Sequence, residues 1–173
     1  YRFISGSEKP FIVSDEQADF RFPEDRTAYI PYVNKKWKGS LQDILINDFQ
    51  CPYTCSKLSE WIDRWSIAPI LVQCPEGKSV VITEADLMDY PGMFLYNYKK
   101  GTGETLSGYF ARVPDDVEIG GHNMVQEMVN SRKDYIAECK PGAEFPWRVI
   151  AVASSDKELT DSDIVWKLAT PAD

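Results

Sequence analysis

The stretch that decides the fold is residues 80 to 95, VVITEADLMDYPGMFL. Its β-branched start, residues 80 to 82, predicts a buried strand, because short runs of this kind between turn signals suit positions covered on both faces. The strand is expected to end there, since Thr83 can cap a short helix that Pro91 and Gly92 stop. Three acidic side chains crowd this short helix: Glu84, Asp86 and Asp89.

Two interpretations of these carboxylates remain open. In the first, they are solvated or complement the helix dipole. In the second, Glu84 is a metal ligand, because a carboxylate held at the end of a rigid strand suits calcium, which takes about six to eight oxygens. One glutamate cannot complete that shell, and the spacing departs from the D-x-[DN]-x-[DN]-G calcium loop. Any partners of Glu84 must therefore come from elsewhere in the fold or from another domain.

Three segments of the chain, taken in order, indicate its relationships. They are FIVSDEQADFRFPEDRTAYIPY at residues 11 to 32, ITEADLMDYPGMFL at residues 82 to 95, and FPWRVIAVASSDKELTDSDIVWKLATPAD at residues 145 to 173. Together they resemble the N-terminal domain of glycoside hydrolase family 97. Residues 36 to 68 and 114 to 140 are the least similar to that family.

The resemblance implies that residues 1 to 173 are one domain, the later part of the family's N-terminal β-sandwich of the mutarotase-like type. In the family this sandwich leads into a catalytic (β/α)8 barrel, which carries the catalytic acids and is absent from this chain. The implied whole protein is a periplasmic, cell-surface or secreted α-glucosidase or α-galactosidase that acts on oligosaccharides. This chain alone is expected to be inactive, and the family includes both retaining and inverting enzymes.

The resemblance also implies a cofactor. Family members bind calcium at the active site, and Glu84 is the position expected to join carboxylates of the barrel around that ion. A different class of function stays open beside this one, in which the chain is a freestanding carbohydrate-binding or interaction module.

Composition is typical of a globular domain and excludes some partners. The 173 residues are 43% hydrophobic and 13% aromatic, which is enough to form a core. The net charge of −8 argues against nucleic acid, because phosphate backbones are bound through clustered Lys and Arg. Since no run of about 18 apolar residues occurs, no membrane-spanning segment is predicted.

The four cysteines leave the redox compartment undecided. Cys51 and Cys55 are four residues apart and could suggest a zinc clip, but a closed zinc site needs four ligands. The only histidine, His122, lies far from both cysteines and follows two glycines, which favours a loop. Free or buried thiols are therefore the default for all four, including Cys74 and Cys139.

The remaining pattern is mainly β, and it predicts an antiparallel sandwich with a few short helices. The predicted strands are Tyr1 to Ile4, Phe11 to Val13, Ala28 to Tyr32, Ile70 to Cys74, Ser79 to Ile82, Met93 to Tyr98, Thr105 to Val113, Tyr135 to Glu138 and Trp147 to Ala153. Besides the turn at Thr83, the predicted helices are Ser40 to Asp48, Ser56 to Trp65 and Met124 to Lys133. The run YNYKKGTGETLSGYF predicts a β-hairpin.

Candidate sugar-contacting residues are few. Trp147 and Arg148 are the best placed, because Arg148 interrupts the apolar stripe formed by Ile150 and Val152 on one face of its strand. Arg148 either forms an ion pair with a carboxylate of the same domain or reaches the interface with the barrel. Trp61 and Trp65 would share a helix face, where packing in the core or contact with a partner is favoured over a sugar platform.

No catalytic constellation is recognisable, since His122 lies in no nucleophile or base context and no carboxylate pair has a geometry that the sequence fixes. An excised domain would expose a sheet edge and apolar surface. We therefore expect the chain by itself to form a dimer or a higher species.

Overall fold

The computed structural model describes residues 1–33, 45, 50–62, 64–97 and 105–171. Two short α-helices close the chain, α1 at Asp156–Thr160 and α2 at Ile164–Leu168. The strands within these residues are β1 Phe11–Val13, β2 Asp19–Arg21, β3 Thr27–Pro31, β4 Tyr53–Lys57, β5 Ser66–Ile67, β6 Ile70–Gln73, β7 Ser79–Ala85, β8 Met93–Asn97, β9 Thr105–Phe110, β10 Pro114–Gly120, β11 Gln126–Arg132, β12 Ala137–Cys139 and β13 Trp147–Ala153.

The two larger sheets pack face to face and enclose the core. One sheet has the order β13-β7-β6-β3-β4 and the other the order β2-β9-β8-β5, and all neighbouring strands are antiparallel. Alternate residues of each strand point inward, so Ile30, Ile82 and Leu95 from both sheets belong to one buried cluster. The predicted fold class, a mainly β antiparallel sandwich with a few short helices, is confirmed.

Two smaller pairs of strands complete the architecture. β1 pairs with β12 beside the sandwich, while β10 and β11 form a two-stranded ribbon. The strands β8 and β9 pair from Met93↔Phe110 to Asn97↔Leu106, which confirms the predicted hairpin. The predicted strands at residues 11–13 and 147–153 agree with the structure at both ends.

The predicted strand at Tyr1 to Ile4 is not a regular strand. This segment runs beside residues 143 to 148 through backbone hydrogen bonds, and only Ile4 forms an isolated β-bridge, with Glu144. β13 is consequently an edge strand of its sheet beyond Arg148, with Ile150 and Val152 exposed. The self-association of the chain stays a prediction, and this edge is where we expect it.

Three predicted helices are wrong. Thr83 does not cap a helix, because β7 continues to Ala85 opposite β13. The described residues between 56 and 65 contain the end of β4 and one 3-10 turn, Leu58–Glu60. Residues 124 to 133 are mostly strand β11. β7 and β4 pair with strands distant in the sequence, whereas β11 pairs with the adjacent strand β10. Strand pairing thus overrides the local helical pattern, which is a weak determinant by itself.

The predicted helix at residues 40 to 48 lies almost entirely outside the described residues. Trp61 is fully buried and packs edge-on against Tyr32, with 5.4 Å between the ring centroids, which confirms its predicted place in the core. Trp65 packs against Tyr96 and Tyr109 at centroid distances of 4.5 and 4.9 Å. No helix in the described part of the chain is long and apolar enough to cross a membrane.

Candidate functional site

Four side chains from distant parts of the chain meet beside the end of β7, and we call them the arginine cluster. Glu84 on β7 and Arg148 on β13 are direct partners in the strand register. Glu16 comes from the connection between β1 and β2, and Tyr90 from the connection between β7 and β8. The sandwich therefore brings together residues that are up to 132 positions apart in the sequence.

Arg148 is the centre of the cluster, and only 3% of its side chain is exposed. Its Nε donates to Glu16 Oε1 at 2.9 Å and its Nη2 to Glu16 Oε2 at 2.7 Å, which is a bidentate pair. Its Nη1 donates to Glu84 Oε1. Burial by itself would lower the pKa of Arg148, but its hydrogen bonds to Glu16 and the two carboxylate charges raise it. The predicted ion pair within the domain is confirmed.

Glu84 is held at both carboxylate oxygens. While Oε1 accepts from Arg148, Oε2 accepts the backbone N–H of Met93 at 2.8 Å. Burial raises the pKa of this carboxyl, and the Met93 N–H and the Arg148 charge offset part of that rise. These two hydrogen bonds fix the Glu84 carboxylate in place. Because 11% of its side chain is exposed, Glu84 still reaches the surface.

Tyr90 closes the cluster on the Glu16 side. Its hydroxyl donates to Glu16 Oε2 at 2.9 Å, and its ring packs edge-on against Phe145, with 5.4 Å between centroids. Burial and the adjacent Glu16 carboxylate raise the pKa of Tyr90, so its hydroxyl stays protonated and acts as a donor. The Phe110 ring covers the guanidinium of Arg148 at 4.9 Å.

The acidic residues after β7 have separate partners. Asp86, at a positive φ of 57°, accepts the Thr170 backbone N–H at 2.8 Å and Arg2 Nη1 at 3.2 Å. The Thr170 hydrogen bond and then the Arg2 charge lower the pKa of Asp86. Asp86 and Asp89 both line a pocket of about 200 Å³ that also includes Glu144. The three carboxylates therefore do not crowd one short helix, as the sequence pattern had predicted.

Trp147 and Arg148 do not form one continuous surface. Neighbouring residues in a strand point to opposite faces, so Trp147 lies on the face away from the arginine cluster. The guanidinium of Arg2 lies 4.8 Å from the centroid of the Trp147 ring, and the indole Nε1 is buried without a hydrogen-bond partner among the described residues. The roles of Trp147 and Arg148 in sugar binding stay predictions.

The donor set of this chain fits calcium in kind but not in number. Glu84 offers carboxylate oxygens, which are the ligands that calcium prefers. Across the described residues, however, no three His, Cys, Asp or Glu side chains converge to hold a metal ion. A calcium site that includes Glu84 therefore needs ligands from outside these residues.

Among the cysteines, Cys139 is a neighbour of the arginine cluster, since it lines the same pocket as Tyr90. All four cysteines are free, and burial raises the pKa of the Cys139 thiol. His122 lies in the loop between β10 and β11, as predicted.

A mostly apolar cavity of about 410 Å³ is lined by the outer face of the five-stranded sheet and the two helices, with Tyr29, Leu71, Val81, Ile164 and Val165 in its wall.

Sequence reasoning missed Glu16 and Tyr90. The segment SDEQADF around Glu16 has the composition of a solvated loop, and nothing in it indicates a buried partner. The only signal was indirect, since an arginine on an apolar stripe needs a carboxylate. Tyr90 directly precedes Pro91 and Gly92, and that position does not by itself indicate a buried hydroxyl donor.

Residues 1–171 match the family model described as Glycosyl-hydrolase 97 N-terminal. The chain belongs to this family. As a GH97 N-terminal domain, it is 37% identical over 173 residues to a retaining alpha-galactosidase of Bacteroides thetaiotaomicron. That match covers 99% of this chain and 26% of the relative, so the chain spans about a quarter of the relative's length. The predicted family is confirmed.

Solved structures show the same fold. A Glycoside Hydrolase Family 97 enzyme from Pseudoalteromonas sp. strain K8, in complex with acarbose, matches with a TM-score of 0.61 and 16% identity. A variant of that enzyme in complex with panose matches with the same TM-score and identity. Each match covers 97% of this GH97 N-terminal domain and 21% of the solved chain.

Proposed function

We propose that this domain is the non-catalytic N-terminal part of an exported α-glycoside hydrolase and packs on its catalytic (β/α)8 barrel. Its specific contribution is the Glu84 carboxylate, which joins carboxylates of the barrel around a calcium ion at the active site. When bound, calcium would orient substrate hydroxyls and hold a catalytic carboxylate. The catalytic acids belong to the barrel.

The observation that carries this proposal is the way in which Glu84 is held. One of its oxygens accepts from Arg148 and the other from the Met93 N–H, so the carboxylate cannot rotate freely. A ligand fixed in advance loses little conformational entropy when it binds a cation, which favours affinity. The proposed role of this domain is therefore to orient the Glu84 carboxylate as a calcium ligand from outside the barrel.

The substrate class that we propose first is the α-galactosides. The relative that is 37% identical across 99% of this chain is a retaining alpha-galactosidase. α-Glucosides are the second candidate, because acarbose and panose were bound to the Pseudoalteromonas enzyme and its variant. We further propose a periplasmic, cell-surface or secreted location, which fractionation of cells with an antibody to this domain will test.

A freestanding carbohydrate-binding module is the competing function. Such a module would bind sugar without a barrel, and the exposed aromatic side chains Tyr53 and Trp166 are where we would look for contact. Within the part of the chain that the structure describes, no observation favours this second function over the first.

The deciding experiment compares this chain with the polypeptide in which it is joined to its barrel. Calcium is titrated into each by calorimetry, and hydrolysis of aryl α-galactosides and α-glucosides is measured in parallel. We expect calcium binding and turnover only in the joined polypeptide. Tight calcium or sugar binding by the 173-residue chain alone would show that it is an autonomous module.

The Glu84→Gln variant of the joined polypeptide tests the ligand itself. Because glutamine keeps the shape but not the charge, we expect calcium affinity and turnover to fall together. Glu24→Gln, which removes an equal charge from an exposed ion pair with Arg26, is the matched control and should behave like the unmodified enzyme. Unchanged calcium dependence in Glu84→Gln would show that Glu84 is not a ligand.

A further inference from the structure

The arginine cluster contains one more negative charge than positive. Two ionised carboxylates, Glu16 and Glu84, share the single guanidinium of Arg148, so the group carries a net charge of −1. A buried group of charges is usually arranged to be neutral, since an uncompensated charge is costly to desolvate. The distribution of that excess charge between the two carboxylates decides what the cluster can bind.

The hydrogen bonds assign the excess charge to Glu84. Glu16 accepts three hydrogen bonds, from Arg148 Nε, Arg148 Nη2 and the Tyr90 hydroxyl. Glu84 accepts two, one at each oxygen, although a carboxylate has about four acceptor positions. Glu16 and Arg148 thus form a neutral bidentate pair, while Glu84 retains both charge and unused lone pairs.

We propose that Glu16 is a positioning residue that neutralises Arg148, so that the Glu84 carboxylate keeps the negative charge with which it binds a divalent cation. This inference rests on the proposed function of Glu84. Without Glu16, the guanidinium would be balanced by Glu84 alone, and that carboxylate would be a weaker ligand. Both oxygens of Glu16 are already held by Arg148, so Glu16 has fewer unused lone pairs for a cation than Glu84.

The test is a calcium titration by calorimetry on the joined polypeptide, with the half-saturating calcium concentration for hydrolysis measured beside it. Glu16→Gln leaves Arg148 and Glu84 as a neutral pair, so the cluster remains satisfied and should fold. We expect calcium affinity to fall by about tenfold or more, because partners of metal ligands typically contribute 10 to 100-fold. Glu16→Asp keeps the charge and should restore most of the affinity.

A double variant separates charge balance from simple loss of structure. In Glu16→Gln with Arg148→Gln, a neutral pair replaces a neutral pair, so Glu84 again carries the excess charge. We expect calcium affinity to rise by about threefold or more above that of Glu16→Gln alone, but not fully to that of the unmodified enzyme, because Glu84 then lacks its hydrogen bond from Arg148. Independent structural damage would not give such a recovery. This variant also keeps the proposal testable if Glu16→Gln does not fold.

The outcomes distinguish the inference from the function on which it rests. If Glu84→Gln binds calcium like the unmodified enzyme, the proposed function fails. If Glu84→Gln loses calcium but Glu16→Gln matches the exposed control Glu24→Gln, only the role of Glu16 is overturned. A double variant as weak as Glu16→Gln, or weaker, would also overturn it, because the charge balance would then not matter.

Discussion

Two pairs of strands in this domain are both antiparallel but differ in how much of their side chains is buried. β8 and β9 lie within the sandwich, and most of their side chains are buried. β10 and β11 form a ladder of similar length with register shifts around Asp116, and most of their side chains are exposed. Since hydrogen bonds exchanged with water contribute little net free energy, the ladder gives shape and the burial of side chains gives stability.

The connection between β10 and β11 shows how little packing constrains this ribbon. Gly121, Asn123 and Met124 all have positive φ, and Met124 remains 66% exposed. Gly121 has φ 67° and ψ −154°, a backbone conformation that is essentially restricted to glycine. We therefore expect the sandwich and the ribbon to respond very differently to substitution.

The largest effect is expected for Trp61→Ala. The Trp61 side chain is fully buried between the sheets, and its removal leaves a cavity that the surrounding strands cannot fill. We expect the free energy of unfolding of the 173-residue chain to fall by about 3–5 kcal/mol. Urea denaturation followed by tryptophan fluorescence and circular dichroism measures it. A loss below about 1 kcal/mol would mean that the sandwich is as loosely packed as the ribbon.

Arg148→Met comes next in expected effect. Methionine preserves much of the volume but leaves two partly buried carboxylates, Glu16 and Glu84, without a cation. We expect a loss of about 3 kcal/mol at neutral pH, near the lower end for breaking a buried ion pair because both glutamates retain some exposure. Adding Glu16→Gln and Glu84→Gln to this variant should recover most of the loss in the same urea titration. Failure to recover would assign the effect to packing instead of charge.

The predictions made from the sequence were correct where the necessary information is local and failed where it is not. The strand Trp147–Ala153 was predicted with correct ends, because its alternation and its flanking turn signals are local. The identity of the partners of Arg148 was not predicted, since Glu84 and Glu16 lie 64 and 132 positions away. Charge and burial indicated that a carboxylate was needed but not which one.

The errors have an equally specific cause. The spacing of Trp61 and Trp65 fits a helix, but residues 53 to 57 pair with β3, and the chain then turns to bury Trp61. One local signal was overlooked at the other end of the chain. Ser155 and Glu158 form a capping box pattern, and the Ser155 side chain accepts the Glu158 N–H at the start of α1.

A smaller, pH-dependent effect is expected for Asp86→Asn. Asparagine also tolerates the positive φ of this residue, so the substitution mainly removes charge. The pKa of Asp86 is lowered in the folded chain by the Thr170 N–H and by Arg2. Its contribution is therefore fully present above the unfolded value of about 3.9 and is lost as the pH falls through the folded pKa.

We expect Asp86→Asn to lower the free energy of unfolding by about 1 kcal/mol at neutral pH, because the lost hydrogen bonds are charged but partly screened by solvent. The difference between the variant and the unmodified chain should shrink as the pH approaches 2. Urea denaturation at a series of pH values measures this convergence. A difference that stays constant with pH would show that the Asp86 charge does not hold the segment at Thr170.

The smallest effect is expected on the ribbon, for Met124→Asn. Met124 is mostly exposed and occupies the left-handed region, which asparagine adopts more readily than methionine. We expect the free energy of unfolding to change by less than about 0.5 kcal/mol. The change should be a small gain, because asparagine suits the backbone conformation at this position better than methionine.

Hydrogen exchange should show the amides of β10 and β11 opening before those of β8, because few buried contacts hold the ribbon. Two results would contradict this expectation: a loss above about 1 kcal/mol in Met124→Asn, or ribbon amides protected like those of β8. Either result would mean that another surface covers Met124. A second copy of this chain would be the first candidate, and sedimentation would test for it.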